Sequence, residues 1–295
     1  MTDLELIEKI TKSTKPSDVF SDDWKKEYLR FSKLVHPDTC THPKASDAMA
    51  IINHYKDVIE DGIGYIDEAG AFRVFEKRIE YEINSTNKKL ITKSFENYKK
   101  LKSLHDESSK HFHFYLPEEM LLEKNKLIIK LKDRAIPLTG QKLPQVHINW
   151  IFSRMFEFVL WLKQVGYSHL GLNPTTVFVV PETHGIIIIS FYHMTGLNKK
   201  ASTISAKYKM WYPTNLFINK RATPDIDLEL SKKIALYLLG DRSAAGTKLK
   251  MDKININQNV LEFFLTKHAN NFEEFDKYRK ILEKNFEKKF YLLSL

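Results

Sequence analysis

The sequence feature that most constrains this chain is an amphipathic stretch from Trp24 to Val35, which is stopped by Pro37. Four large apolar residues recur along it at helical spacing: Trp24, Tyr28, Phe31 and Val35. At about 100° per residue these positions lie within roughly 40° of one line. Three cations fall on the opposite side: Lys26, Arg30 and Lys33. The pattern predicts a helix with one buried face and one cationic face, which needs other helices to pack against.

Further helices are predicted on both sides of this stretch. Three apolar residues share one face and predict a helix over residues 3–12: Leu4, Ile7 and Ile10. A proline-containing break follows at Thr14–Ser17. After the tripeptide His36-Pro37-Asp38 and a polar loop, another helix is predicted from Ala45 to Ile59. Its inward-facing residues are Ala48, Ile51, Ile52, Tyr55 and Ile59.

The order of these features resembles the J-domain family. In that family a cationic helix ends in His-Pro-Asp, and a polar loop leads to a helix that often reads A-F-x-x-I-N. Here the tripeptide is His36-Pro37-Asp38, and Ile52-Asn53 matches that helix with Met49 in the aromatic position. One departure is Tyr55-Lys56, where the family usually has an Ala-Tyr pair.

The resemblance implies a partner and a mechanism. J-domains dock on the ATPase domain of a DnaK-type chaperone and accelerate its ATP hydrolysis. Asp38 would pair with a cation of that partner, while His36 and Pro37 would keep the loop rigid. The exposed charges that orient the encounter would be Lys26, Arg30 and Lys33. The alternative is that the tripeptide only ends the helix and turns the chain.

A second resemblance, to protein kinases, covers roughly residues 65–295. His169, Leu172 and Pro174 fit the catalytic-loop pattern H-R-D-L-K-P-x-N, and Phe191 fits the middle of D-F-G after an apolar strand. Other positions agree in order: Val177 and Val179 in that strand, Trp211-Tyr212-Pro213 in place of A-P-E, and Asp227 opening a helix. Lys93, in a predicted strand from Leu90 to Phe95, would be the phosphate-binding lysine.

Three positions depart from that pattern where kinases carry their chemistry. Gly171 stands at the catalytic base, Thr176 at the metal-binding asparagine and Ser190 at the DFG aspartate. Phosphate transfer depends mostly on positioning and on charge neutralisation by magnesium, and loss of a general base alone costs about 10²–10⁴-fold. The resemblance with these departures predicts a pseudokinase and not an enzyme, with no cofactor and no metal. Plainer roles stay open for Lys93, as a surface or structural residue, and for His169, as a packed core histidine.

The expected fold is α+β, a small all-α J-domain followed by a two-lobed protein-kinase-like domain. The expected boundaries are residues 1–61 for the J-domain, 62–142 for the kinase-like N-lobe and 143–295 for a mostly helical C-lobe. Strands are predicted in five places: residues 71–75, 79–83, 90–95, 112–115 and 126–131. Helices are predicted over residues 96–104 and 146–165, the second closed by Gly166.

Charge and composition indicate which partners and which cellular compartment to expect. The net charge of the 295-residue chain is +9, to which residues 1–60 contribute −2 and the rest +11. The excess favours an acidic client; nucleic acid is an open but not favoured partner, because the cations are scattered. A single cysteine, Cys40, no apolar leader and charges within the apolar stretch 148–165 predict a cytoplasmic protein without a membrane span. A metal site of His36, Cys40 and His42 lacks a fourth ligand and regular spacing.

The sequence thus predicts a co-chaperone that recruits and stimulates a DnaK-type chaperone, with the kinase-like domain binding an unidentified protein client. Two other functions stay open. An atypical kinase or nucleotide transferase with displaced catalytic groups would turn over nucleotide with magnesium. A basic nucleic-acid-binding protein would show a steep salt dependence of binding.

Overall fold

Four helices at the start of the chain pack around a core of their own. The computed structural model describes residues 2–251 and 256–293. The helices are α1 (Asp3–Lys12), α2 (Pro16–Val19), α3 (Trp24–Leu34) and α4 (Ala45–Glu60). Their buried apolar residues form a cluster separate from the larger core of the chain: Leu6, Ile7, Ile10, Val19, Phe20, Phe31, Val35, Ala48, Ile52 and Tyr55. The three helices predicted from periodicity are present, and α2 begins at Pro16 in the predicted break, because proline is well tolerated at the first helical position.

An antiparallel sheet follows the helices. Its strands are β1 (Ile63–Asp67), β2 (Gly70–Val74), β3 (Arg78–Glu82), β4 (Glu119–Leu122) and β5 (Lys126–Lys130), in the spatial order β1-β2-β3-β5-β4. The connection from β3 to β4 holds α5 (Lys88–Lys102), α6 (Glu107–Phe112) and a 3₁₀ turn (His113–Tyr115). Alternating burial on β2, β3 and β5 turns one face of the sheet toward the core.

Two predicted strands of this region are wrong. Residues 90–95 lie within α5, and residues 112–115 form the end of α6 and the 3₁₀ turn. The buried residues of α5 recur at helical spacing, which a reading of the short Leu-Ile-Thr run alone does not reveal: Ile91, Ser94, Asn97, Tyr98 and Leu101. The Oδ1 atom of Asn84 also accepts the backbone N–H groups of Thr86 and Asn87, which turns the chain into the helix.

The second lobe is built on a buried helix, α7 (Gln145–Gln164), in which twelve of twenty residues are buried. Gly166 follows it with φ +83°, as expected for a residue that ends a helix in the left-handed conformation. Short strands form two small sheets, β6 (Ile136–Pro137) with β8 (Val177–Val180) and β9 (Gly185–Ile188), and β7 (Tyr167–Ser168) with β10 (Thr195–Gly196). The remaining helices are α8 (Thr214–Asn219), α9 (Pro224–Leu238), α10 (Thr247–Met251), α11 (Gln258–Leu265) and α12 (Phe272–Asn285).

The architecture from β1 onward is compatible with a protein-kinase-like fold. A five-stranded antiparallel sheet with a helix between its third and fourth strands is followed by a mostly helical lobe. Short β-pairs lie beside the central helix of that lobe, at the segment that resembles a catalytic loop. Among the described helices, none combines the length and the apolar character that a bilayer-crossing segment requires.

Candidate functional site

The first candidate site is the loop between α3 and α4, which carries His36, Pro37 and Asp38. The carbonyl oxygen of His36 accepts the backbone N–H groups of Thr39 at 3.0 Å and Cys40 at 2.8 Å. The Nδ1 atom of His36 accepts the N–H of Asp38 at 3.2 Å. All three residues of the tripeptide are exposed, and the Asp38 side chain is 86% exposed. The loop therefore has a local hydrogen-bonded shape and presents a carboxylate to solvent.

The cationic face of α3 lies on the solvent side, as its periodicity predicts. Lys26, Arg30 and Lys33 are all exposed. The hydroxyl of Tyr28 donates to Asn53 Oδ1 at 2.9 Å, which fixes α3 against α4. Lys26 forms an ion pair with Asp23 at 2.8 Å, but an exposed pair of this kind contributes only about 0–1 kcal/mol. The three charges thus stay available to an acidic surface.

The second candidate site is the segment after α7 that resembles a catalytic loop. Asp227, from α9, holds its backbone. Asp227 Oδ2 accepts the N–H of His169 at 2.6 Å and the hydroxyl of Ser168 at 2.9 Å, and Oδ1 accepts the N–H of Leu170 at 2.8 Å. Burial raises the pKa of Asp227 to about 6, although these hydrogen bonds act in the opposite direction. Leu170 has φ +56°, an uncommon conformation for a residue with a side chain, so the bonds to Asp227 stabilise a strained turn.

His169 is enclosed within this turn. Its Nε2 atom lies 2.9 Å from the carbonyl oxygen of Ser190, to which it donates, and its ring contacts Phe191 edge-on. Burial lowers the pKa of His169 to about 3. A general acid or base works best with a pKa near the working pH. His169 therefore stays neutral at pH 7 and acts here as a buried hydrogen-bond donor.

Gly171 and Thr176, which the resemblance to kinases predicts at the positions of the catalytic base and of a metal ligand, are both buried. A Cβ atom added at Gly171 would lie 2.7 Å from Cδ2 of His193, closer than real Cβ contacts. The hydroxyl of Thr176 accepts the N–H of Asn173 at 3.0 Å and is 3.2 Å from the carbonyl oxygen of Gly171. The Thr176 hydroxyl is thus hydrogen-bonded within the loop itself.

Helix α5 holds the backbone of Phe191, which follows Ser190. The N–H of Phe191 donates to Ser94 Oγ at 2.8 Å, and Asn97 Nδ2 donates to the carbonyl oxygen of Phe191 at 3.0 Å. The Ser190 side chain is buried, and its Oγ has no hydrogen-bond partner. A lone hydroxyl is a poor substitute for a carboxylate ligand of magnesium, which prefers oxygen ligands that bring negative charge.

The tip of the β1–β2 hairpin lies against this segment. Asp67 Oδ2 accepts the hydroxyls of Tyr81 and Tyr192, each at 2.8 Å. Glu68 is hydrogen-bonded to Nε2 of His193, whose Nδ1 lies 2.9 Å from the hydroxyl of Thr203. Burial raises the pKa of Asp67 to about 6. Burial is also the largest single effect on Glu68, but the hydrogen bond to His193, the charge of His193 and the hydroxyl of Ser205 together outweigh it and lower the pKa of Glu68. Both carboxylates of the hairpin tip therefore bond to protein groups, and Oε1 of Glu68 is buried without a partner.

Packed aromatic rings fill the region between the two sheets beneath this hairpin. Phe72 on β2 stacks on Tyr81 with ring centroids 4.8 Å apart and on Tyr65 at 5.7 Å. It also contacts Phe178 on β8 at 6.5 Å, and both phenylalanines are buried. Residues 2–251 and 256–293 hold no cluster of three or more His, Cys, Asp or Glu that could bind a metal ion.

Lys93 does not lie on a strand. It belongs to α5, where its Nζ atom donates to Ser202 Oγ at 3.4 Å. Partial burial and the neighbouring charges of Lys100 and Lys89 lower its pKa. The structure thus puts this lysine at the outer edge of α5, beside the segment that follows β10.

Sequence reasoning missed the four residues that close the hairpin onto the loop: Asp67, Glu68, Tyr192 and His193. One signal was present, because Asp67-Glu68-Ala69-Gly70 is a tight hairpin turn between two strands, too short to form a phosphate-binding loop. The pairing of Glu68 with His193 had no sequence signal.

Comparisons with known proteins add little to this geometry. No family model matches the sequence, and the search of curated proteins gives no match. Among solved structures the chain is similar to the kinase domain of a Toxoplasma gondii specific rhoptry antigen, with 14% identity over 75% of this chain and 78% of that chain and a TM-score of 0.46. The strand order of the sheet and the helical lobe after it are compatible with a kinase-like fold, and this likeness extends to no activity, ligand or partner.

Proposed function

We propose that the chain is a co-chaperone whose first sixty-one residues act as a J-domain toward a DnaK-type chaperone. The observation that carries the proposal is the exposed tripeptide His36-Pro37-Asp38 at the end of a helix with three exposed cations. The helices that carry it have their own apolar core, which gives the loop a rigid base.

The exposed side chains of the tripeptide and of α3 each have a physical role in docking. Asp38 has a carboxylate free to pair with a cation of the ATPase domain, and a charge-assisted hydrogen bond of this kind is about twice as strong as a neutral one. Lys26, Arg30 and Lys33 attract an acidic surface and set the on-rate and orientation more than the affinity. Pro37 and the hydrogen bonds of His36 limit the conformations of the loop, so less entropy is lost on docking.

The kinase-like part acts in this proposal as a binding module without phosphate transfer. Three features support that role: no acidic side chain at Gly171, Thr176 or Ser190, a hairpin tip bonded to Tyr192 and His193, and aromatic packing between the sheets. Charge on a transferred phosphate is normally offset by magnesium held on carboxylate and amide side chains. Without those ligands the chain cannot stabilise that charge.

A single-turnover assay of ATP hydrolysis by a DnaK-type chaperone tests the proposal. Asp38→Asn and His36→Gln should abolish the stimulation given by the full chain and leave its unfolding curve unchanged. Asp57→Asn is the matched control, because Asp57 is an exposed aspartate of α4 outside the tripeptide. Full stimulation by both tripeptide variants would refute the J-domain role.

A further inference from the structure

One segment of the helical lobe carries positive charge without compensation. Residues 198–221 contain six cations and no Asp or Glu: Lys199, Lys200, Lys207, Lys209, Lys220 and Arg221. All six are exposed. In the described parts of the chain, none of them lies within 4.0 Å of a carboxylate oxygen, whereas Lys126, Lys130 and Arg154 do.

Buried residues of the same segment fix its shape. Its main anchors are Ser205, Tyr208, Trp211, Tyr212 and Leu216. The hydroxyl of Tyr212 donates to the carbonyl oxygen of Leu170 at 2.6 Å and accepts the N–H of Ser205 at 2.9 Å. Its two ends pair with each other, since Lys200 and Arg221 form an antiparallel bridge. The cations are thus presented from an ordered backbone.

Helix α5 extends this charge. Lys93 reaches Ser202 Oγ at 3.4 Å, and Lys89 and Lys100 are close enough to lower the pKa of Lys93. Leu90 of α5 lines one cavity together with Ile204 and Lys207. We use the name basic surface for the six cations of residues 198–221 together with Lys89, Lys93 and Lys100.

Apolar side chains are interleaved with these charges. Met210 is 90% exposed, Ile218 is 74% exposed, and Phe217 is partly exposed beside Lys209. Apolar side chains of this size, exposed within a polar rim, can add buried area to the contact that a charged partner makes. Of the aromatic rings that could stack on nucleotide bases, Tyr208, Trp211 and Tyr212 are buried, Phe217 is partly exposed under Lys209, and the segment has one arginine. Nucleic acid therefore fits it less well than protein.

We propose that the basic surface is the docking site for an acidic, amphipathic segment of the client protein. The inference rests on the proposed role of the kinase-like part as a binding module and names its site and its ligand chemistry. Glutamates of the partner meet the unpaired lysines, and its apolar side chains cover Met210 and Ile218. Both contributions are needed, because exposed charge pairs alone contribute little.

The test measures binding of fluorescein-labelled peptides to the full chain by fluorescence anisotropy. One peptide repeats two glutamates and a leucine, a second carries serine in place of leucine, and a single-stranded DNA oligonucleotide of equal charge is the third probe. The double variant Lys207→Glu with Lys209→Glu should weaken binding of the leucine peptide about tenfold. Lys280→Glu with Lys284→Glu is the matched control, since it makes the same change in net charge on exposed lysines of α12 and should leave the affinity unchanged.

The double variant Met210→Ser with Ile218→Ser should weaken binding of the leucine peptide about fivefold and leave binding of the serine peptide unchanged. Three results would overturn the proposal: no binding of the leucine peptide, equal losses in the two lysine double variants, or tighter binding of the oligonucleotide than of the leucine peptide. The lysine variants should keep full stimulation of the chaperone ATPase, and Asp38→Asn should keep peptide binding. A failure of docking is therefore distinguishable from a failure of the J-domain role.

Discussion

The loop after α3 and the loop after α7 both carry a sequence motif, and they differ in where the motif side chains go. At His36-Pro37-Asp38 the backbone supplies the local hydrogen bonds and the carboxylate faces solvent. In the segment from His169 to Thr176 the polar side chains bond to the segment itself or to its buried neighbours. An exposed motif can act on a partner, whereas a motif whose side chains are buried contributes to the packing of the core.

Two aspartates give the largest contrast between these regions. Asp227→Ala leaves the donors of Ser168, His169 and Leu170 without an acceptor in the core, and we expect a loss of about 3 kcal/mol or more in the free energy of unfolding. Asp38→Ala, at an exposed site, should change that free energy by less than about 0.5 kcal/mol. Urea unfolding followed by tryptophan fluorescence measures both, and equal effects would contradict the contrast.

Glycine substitutions probe the closed loop directly. Gly171→Ala should lower the free energy of unfolding by about 1–3 kcal/mol, because the added Cβ overlaps the ring of His193. Gly64→Ala is the control, since a Cβ there meets no atom within 4 Å and the backbone is extended in β1. Thermal unfolding of the two variants compares them. If Gly171→Ala leaves the unfolding temperature unchanged, His193 does not cover the loop.

Histidines of the helical lobe make its stability depend on pH. His184 is buried with Nε2 2.7 Å from Nδ1 of His147, and burial and the charge of His147 lower its pKa to about 4. The unfolded chain, with a histidine pKa of about 6.5, binds this proton first. The contribution of His184 is therefore fully present above pH 6.5 and is lost as the pH falls toward 4.

His184→Asn should flatten the stability profile in this window by up to about 1.4 kcal/mol per pH unit, and asparagine tolerates the positive φ of this position. Burial raises the pKa of Asp67 and Asp227 to about 6, so their effect has the opposite sign and is common to both proteins. Urea titrations from pH 7 to pH 4 give the difference between wild type and variant. Parallel profiles would exclude His184 as a source of the pH dependence.

The smallest expected effect concerns the cationic face of α3. Charge reversal of Lys26, Arg30 and Lys33 should slow stimulation of the chaperone ATPase about fivefold at about 20 mM salt and less at about 200 mM, because exposed charges are screened over about 10 Å at 0.1 M salt. The same assay with Lys9, Lys12 and Lys44 reversed provides a control of equal charge change. A rate unaffected by the α3 reversal at either salt concentration would leave the cationic face as a solvated surface.

Local periodicity explains what the sequence could predict. Helices α1, α3, α4 and α7 were predicted within a residue or two, because their apolar residues repeat at helical spacing and clear breakers end them. The strand predicted at Leu90–Phe95 was wrong because a short apolar run fits either structure, and Lys93 was misplaced with it.

The features that could not be predicted from the sequence depend on contacts between residues far apart in the chain. Glu68 and His193 are separated by 125 positions, so their bond follows from the packing of the hairpin on the second lobe and from no local pattern. The positions Gly171, Thr176 and Ser190 could be named from the resemblance to kinases. Their enclosure by His193, Asn173 and His169 required the fold.

ATP turnover, measured on the full chain alone and then together with a DnaK-type chaperone in the same magnesium buffer, separates a co-chaperone from a kinase. We expect no hydrolysis and no phosphate transfer by the chain alone, and accelerated hydrolysis by the chaperone that Asp38→Asn abolishes. Magnesium-dependent turnover by the chain alone, with no effect on the chaperone, would contradict this expectation and favour an atypical kinase.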